Sequence, residues 1–172
     1  MPGRAEERRT GRRDGITTVR LTGKMLTAKQ VADYFLTLVD SEAGDALSNL
    51  KLQKLVYYAQ GFSLALTGEP LFAESIEAWQ HGPVVPALYR SLTQHGSEPV
   101  RPPEDGINRD DYPEAVRDLL DEVYSVYGQF SASKLRNMTH DETPWKEAMA
   151  VGASIPINKV TMKEYFSTLV NG

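Results

Sequence analysis

Three histidines, His81, His95 and His140, and the run His140-Asp141-Glu142 are the side chains here best suited to proton transfer or metal binding. A centre built on one helix needs ligands three or four residues apart, because only those share a face. No two histidines have that spacing, and no Glu-x-x-His pair occurs. Adjacent residues such as 140 to 142 diverge at a helix end, so this run reads as a capped turn leading to Thr143-Pro144. His81 precedes Gly82-Pro83 and has two readings: a general base in a cleft, or a ring that closes the turn by hydrogen bonds. The chain has no cysteine, which removes disulfides, thiolate zinc sites and cysteine nucleophiles together. No Gly-rich phosphate loop and no Gly-x-Ser-x-Gly elbow is present. Catalysis, metals and cofactors are therefore not expected.

Recognition has better candidates. Trp79, Tyr89 and Trp145 each sit beside proline or glycine instead of inside a helical stripe, and rigid amphipathic rings of this kind anchor protein interfaces. With His81 and Pro83 they form the candidate partner-binding set; the competing reading is that the rings plug the core beneath an extended arm. A short strand pair on that arm would also offer unpaired edge groups to a partner strand.

Positioning these residues falls to the stretch 48–91. At 100° per residue, Leu52, Leu55, Val56, Ala59, Phe62 and Leu66 share one helical face, with Leu50, Tyr57 and Leu64 nearly opposite beside Gly61. A helix apolar on two sides is buried, with Lys51, Gln53, Lys54 and Gln60 confined to narrow polar strips. Gly61 lets a neighbour approach closely. Ser48 caps this helix and Thr67-Gly68 ends it. From Glu69 to Val85, Pro70 and Pro83 exclude regular helix, while Ile76 to Trp79 suits a small β-arm or hairpin. Pro86 opens a helix to about Gln94, and residues 96–110 form a long polar loop.

The flanking chain is helical. Thr27 and Gln30 make a capping box ahead of the stripe Val31, Tyr34, Phe35 and Leu38, with Gly44 ending or following that helix. Beyond the loop, Pro113 starts a helix with Val116, Leu119, Leu120, Val123 and Tyr127 inward. Ser131 caps a short helix, Thr143-Pro144 opens another, and Thr161 with Glu164 makes a second capping box, with Val160 and Tyr165 as its staple. The expectation is a mainly α, single helical domain over 25–172, of about six to eight helices with a small β-arm.

Composition fits that picture: 172 residues, 41% apolar and 24% charged, form one ordinary globular domain. No apolar run approaches the roughly 20 residues that span a bilayer, and no signal core follows the N-terminus, so the expected location is cytoplasmic. Net charge is −4, divided between +4 in residues 1–24 and −8 in the rest. Those first 24 residues are expected to be a disordered basic arm, with a short strand at 16–21. The acidic body argues against a nucleic-acid binder.

The runs KLQKLVYYAQGFSLALTGEPLF, IEAWQHGPVVPALY and SKLRNMTHDETPW resemble the SocA-like Panacea antitoxin domain, also known as the phage-associated protein GepA family, over about Leu26 to Leu169. The segment IEAW-x-x-GPVVP-x-LY is the specific part, although His81 stands where an aromatic residue is common. The resemblance implies a non-enzymatic antitoxin of a bacterial or prophage toxin–antitoxin pair, neutralising the protein toxin of a neighbouring gene by direct binding. It also implies that some members deliver the toxin to a Clp protease. Two other classes remain open. One is a helix-turn-helix DNA-binding regulator built on TAKQVADYFLTLV and SNLKLQKLVYY; the other is a hydrolase using His81 or His140.

Overall fold

The computed structural model describes residues 12–13, 16–17, 25–40, 42 and 46–171. Of the N-terminal arm it places β1 (Arg12–Arg13) antiparallel to β2 (Ile16–Thr17), with Arg12 opposite Thr17. The rest of the expected arm, the remainder of the strand expected at 16–21, and Gly44 lie outside the described residues.

The domain is mainly helical, with seven α-helices among the described residues and one small three-stranded sheet. Helix α1 (Ala28–Thr37) opens with the expected capping box: Gln30 N donates to Thr27 Oγ1 at 3.1 Å, and Thr27 N to Gln30 Oε1 at 2.9 Å. Its stripe Val31, Tyr34 and Phe35 is fully buried. Helix α2 (Asn49–Thr67) is capped by Ser48 and stops at Gly68, whose left-handed φ of 80° lets its N–H donate back to Leu64 O.

The rest of the chain is arranged around α2. Helices α4 (Glu114–Tyr127) and α5 (Ala132–His140, capped by Ser131) pack against it, and α6 (Thr143–Val151, Pro144 in its first turn) follows. Helix α7 (Lys159–Asn171) lies along α2 and sets the Phe166 ring over Gly61, where an added Cβ would fall 2.2 Å from the ring. This is the close approach expected of that glycine. Rings complete the seam: Phe166 meets Phe62 at 4.9 Å and Tyr57 at 5.5 Å, while Tyr58 stacks on Tyr127 at 4.1 Å.

Two expectations for α2 change. Gln53, Lys54 and Gln60 do not occupy solvated strips; all three are buried, because α2 is covered on that side as well. Leu66, placed on the inner face by periodicity, is 46% exposed, since the last turn borders a shallow groove shared with Phe62, Val123 and Val126.

The expected hairpin is β3 (Glu77–Trp79) with β4 (Gly82–Val84), paired Ala78 to Pro83 and Trp79 to Gly82 across a two-residue turn, Gln80-His81. A third strand, β5 (Ile155–Pro156), joins the other edge of β3. The outer strands carry Pro83 and Pro156, neither able to donate to another strand, and β4 is buried throughout. The hairpin is thus not the open strand template that its sequence suggested.

Pro86 starts α3, which spans only Pro86–Ser91 before a 3-10 turn at Thr93–His95, short of the helix expected to reach Gln94. The polar loop that follows is pinned where Val100 N donates to Leu47 O at 2.7 Å. At α7 the expected cap is displaced. Asn158 Oδ1 accepts from Val160 N at 2.7 Å and Thr161 N at 3.1 Å, so Thr161 lies inside the first turn. Val160, intended as the staple, is 63% exposed.

Candidate functional site

The buried polar residues of α2 determine where the hairpin sits. Gln60 accepts from Leu71 N at 2.7 Å through Oε1 and donates to Phe72 O at 3.0 Å through Nε2. Two turns towards the N-terminus, Gln53 Oε1 accepts from Val85 N at 2.9 Å, while its Nε2 donates to Asn49 Oδ1 at 2.8 Å. Asn49 Nδ2 in turn donates to Tyr89 O at 3.3 Å. Each side chain satisfies backbone groups that burial would otherwise leave unpaired. Residues 71–89 are therefore held to α2 by hydrogen bonds at both ends.

Lys54 is the exceptional member of that row. Its Nζ donates to Pro83 O at 3.3 Å, and it lies against Gly82, where a Cβ would come within 2.6 Å of Cε. Gly82 also has a left-handed φ of 111°, so glycine is required there twice over. Burial, and to a lesser degree the nearby Arg136 cation, lower the Lys54 pKa to about 7. A second buried ionisable group lies on the α7 side. Glu142 accepts from Tyr57 Oη at 2.9 Å and Tyr58 Oη at 2.7 Å, and burial raises its pKa to about 7 against the opposing effect of those hydroxyls.

Beside the hairpin opens a cleft of about 650 Å³. That volume lies in the range of sites enclosing a small molecule or a few side chains. Of the sequence candidates, Trp79, His81 and Tyr89 line it, together with Asn49, Gln80 and Ser154. The Trp79 and Tyr89 rings meet edge to face at 5.2 Å, and the Trp79 indole N–H donates to Glu77 Oε1 at 2.9 Å. His81 is exposed, its Nδ1 accepting from Arg136 Nε at 3.2 Å.

Pro83 and Trp145 are placed differently. Pro83 is buried in β4 with its carbonyl turned to Lys54, and Trp145 stands behind the wall, its indole N–H donating to Trp79 O at 2.8 Å. His140 stacks flat on Trp145 at 4.1 Å. The run from 140 to 142 diverges: the His140 ring goes to Trp145, Asp141 is exposed, and Glu142 turns inward to the tyrosines. No group of three metal-ligating side chains occurs among the described residues. Sequence reasoning missed Arg136, Gln53 and Lys54, because a polar residue's partner 29 to 55 positions away leaves no trace in local periodicity.

No helix among the described residues is long and apolar enough to cross a membrane. No solved structure matches the chain. Among curated proteins, Antitoxin SocA of Caulobacter vibrioides (strain NA1000 / CB15N) is 32% identical over 117 residues, covering 58% of this chain and 58% of that protein. The chain thus spans little more than half of that relative's length. Residues 52–146, from the body of α2 through the hairpin and cleft to Trp145 and Lys146, match the family described as "Antitoxin SocA-like, Panacea domain". That match takes in more than half of the chain, and the protein belongs to the SocA-like Panacea-domain family.

Proposed function

We propose that this protein is an antitoxin that neutralises a cognate protein toxin, the product of a neighbouring gene, by binding it directly in the cytoplasm. Family membership supports the antitoxin role. The observation that carries the mode of action is the wall of the cleft, where Trp79 and Tyr89 form a rigid ring pair half open to solvent. Such preformed aromatic anchors bind with little loss of side-chain freedom. Trp79, His81 and Tyr89 contact the toxin, while Pro83 and Trp145 hold the contact residues in place. Nothing in this role requires catalysis, a metal or a cofactor.

The direct test is expression of the neighbouring gene alone and with this chain. The expected result is toxicity relieved on co-expression, with both proteins recovered in one complex and the toxin undiminished in amount. A neighbour that is harmless alone and does not co-purify ends the proposal. Rescue with a toxin that disappears, and reappears when the Clp protease is disabled, would replace occlusion by delivery to that protease.

The DNA-binding alternative meets a structural obstacle. Helix α2, which would have to enter a groove, is buried from Leu52 to Gly61 without a break.

A further inference from the structure

The cleft rim carries a cation, Arg136, that is paired with no carboxylate, on a body that is otherwise acidic. Arg136 Nε donates to His81 Nδ1, and its Nη1 reaches only Asn137 Oδ1 at 3.4 Å; no carboxylate lies within ion-pair distance of Arg136 among the described residues. A neutral imidazole that accepts at Nδ1 keeps its proton on Nε2, which points away from the guanidinium, so the donors left beside His81 are those at the Nη end of Arg136. Lys54 lies buried behind the turn, also without a carboxylate partner, and His140 completes a group of four basic side chains; burial first, and the Arg136 cation second, lower the pKa of both His140 and Lys54. Glu77 accepts from the Trp79 indole N–H and makes no ion pair with Arg136. Next to these donors stands the apolar surface of Trp79 and Tyr89.

We infer that this rim receives an acidic segment of the toxin, an Asp or Glu carboxylate on the Nη end of Arg136 beside His81, with a neighbouring apolar side chain against Trp79 and Tyr89. The paired Nη donors at the end of the guanidinium match the geometry of a carboxylate. A cationic rim beside an aromatic wall also selects for sequence: a purely basic segment is repelled, and a purely apolar one leaves Arg136 desolvated and unpaired. The inference rests on the reading of the cleft as the toxin-docking face, and its test separates the two.

The test measures the affinity of the full-length chain for the protein encoded by the neighbouring gene. Arg136→Glu is expected to raise the Kd about tenfold or more, Arg136→Lys to raise it less, and one Asp→Lys or Glu→Lys change in the toxin to restore binding to Arg136→Glu. Thermal melts establish that the variants are folded; should Arg136→Glu not fold, Arg136→Gln takes its place. If Trp79→Ala weakens binding but neither Arg136→Glu nor Arg136→Gln does, the cleft is the docking face and the carboxylate inference is overturned. If Trp79→Ala and the Arg136 variants all bind as the wild type does, both readings fall. Inorganic phosphate that binds at His81 and Arg136 without competing against the toxin would likewise overturn it, assigning the rim to a free oxyanion.

Discussion

Helix α2 is buried on two sides by different means. Against α7 the contact is apolar and aromatic: Gly61 under Phe166, Phe62 beside it, and the Tyr57 and Tyr58 rings edge-on to Phe166. Towards the hairpin, Gln53, Lys54 and Gln60 reach out to backbone groups of residues 71–85. Apolar packing is roughly proportional to area and tolerates sliding; a row of buried hydrogen bonds has one register in which every group is satisfied. The α7 side therefore supplies stability, and the hairpin side fixes where Trp79 and His81 stand.

Breaking the polar side should cost the most. Gln60→Leu leaves the Leu71 N–H and the Phe72 carbonyl buried without partners, a loss of about 4 kcal/mol at the usual penalty for such groups. Chemical denaturation measures it, and a loss below about 1 kcal/mol would mean that the hairpin is held by packing like the other side. Gly61→Ala probes the apolar side. Alanine favours the helix, but its Cβ meets a Phe166 ring boxed in by Phe62, Tyr57 and Tyr58, so a net loss of about 3 kcal/mol is expected. Hydrogen exchange should distinguish the two: Gln60→Leu exposes the Leu71 amide selectively, and Gly61→Ala lowers protection throughout the core.

What the sequence made legible follows the same division. Thr27 with Gln30, Ser48, Ser131 and Gly68 announced their helix ends because capping is chemistry between residues at most four apart. Gly61 was legible as a close approach, since nothing else explains a glycine in the middle of an apolar helix. Gln53 and Gln60 were not, because periodicity reports only that a position is polar; whether water or a buried backbone satisfies it depends on strands folded from elsewhere. Of the residues lining the cleft, Trp79, His81 and Tyr89 were singled out through nearby proline and glycine, whereas Arg136 joins His81 across 55 residues. Strand β5 went unseen because two residues carry no alternation. Asn158 displaced Thr161 as the α7 cap because both are competent and lie only three residues apart.

Two buried ionisable groups against α2, Glu142 and Lys54, add a dependence on pH. Glu142 binds its proton more tightly when folded, so its contribution is fully present below the unfolded value of about 4.5 and lost as pH rises through about 7. Lys54 runs the other way: its folded pKa is lowered, so it opposes folding below about 7 and the penalty is relieved as pH approaches the unfolded value of 10.5. Together they place a stability minimum near neutrality, with the alkaline arm the deeper because the Lys54 shift is the larger. Denaturation from pH 4.5 to 10 should show Glu142→Gln flattening the acid arm and Lys54→Met the alkaline arm. A variant that flattened the opposite arm would reverse the assignment.

The smallest effect on stability is expected at the cleft wall. Trp79→Phe keeps a ring against Tyr89 and removes the indole N–H from Glu77, whose carboxylate is half-buried and within reach of water. The backbone carbonyl that accepts from Trp145 is untouched, so the wall stays attached to α6. Unfolding free energy should change by under about 1 kcal/mol, while affinity for the toxin falls by a larger free energy, because a centrally placed tryptophan contributes to an interface out of proportion to what it contributes to the fold. A larger loss in folding than in binding would show that Trp79 is a core plug for the hairpin, and the polar side of α2 would then be holding up structure alone.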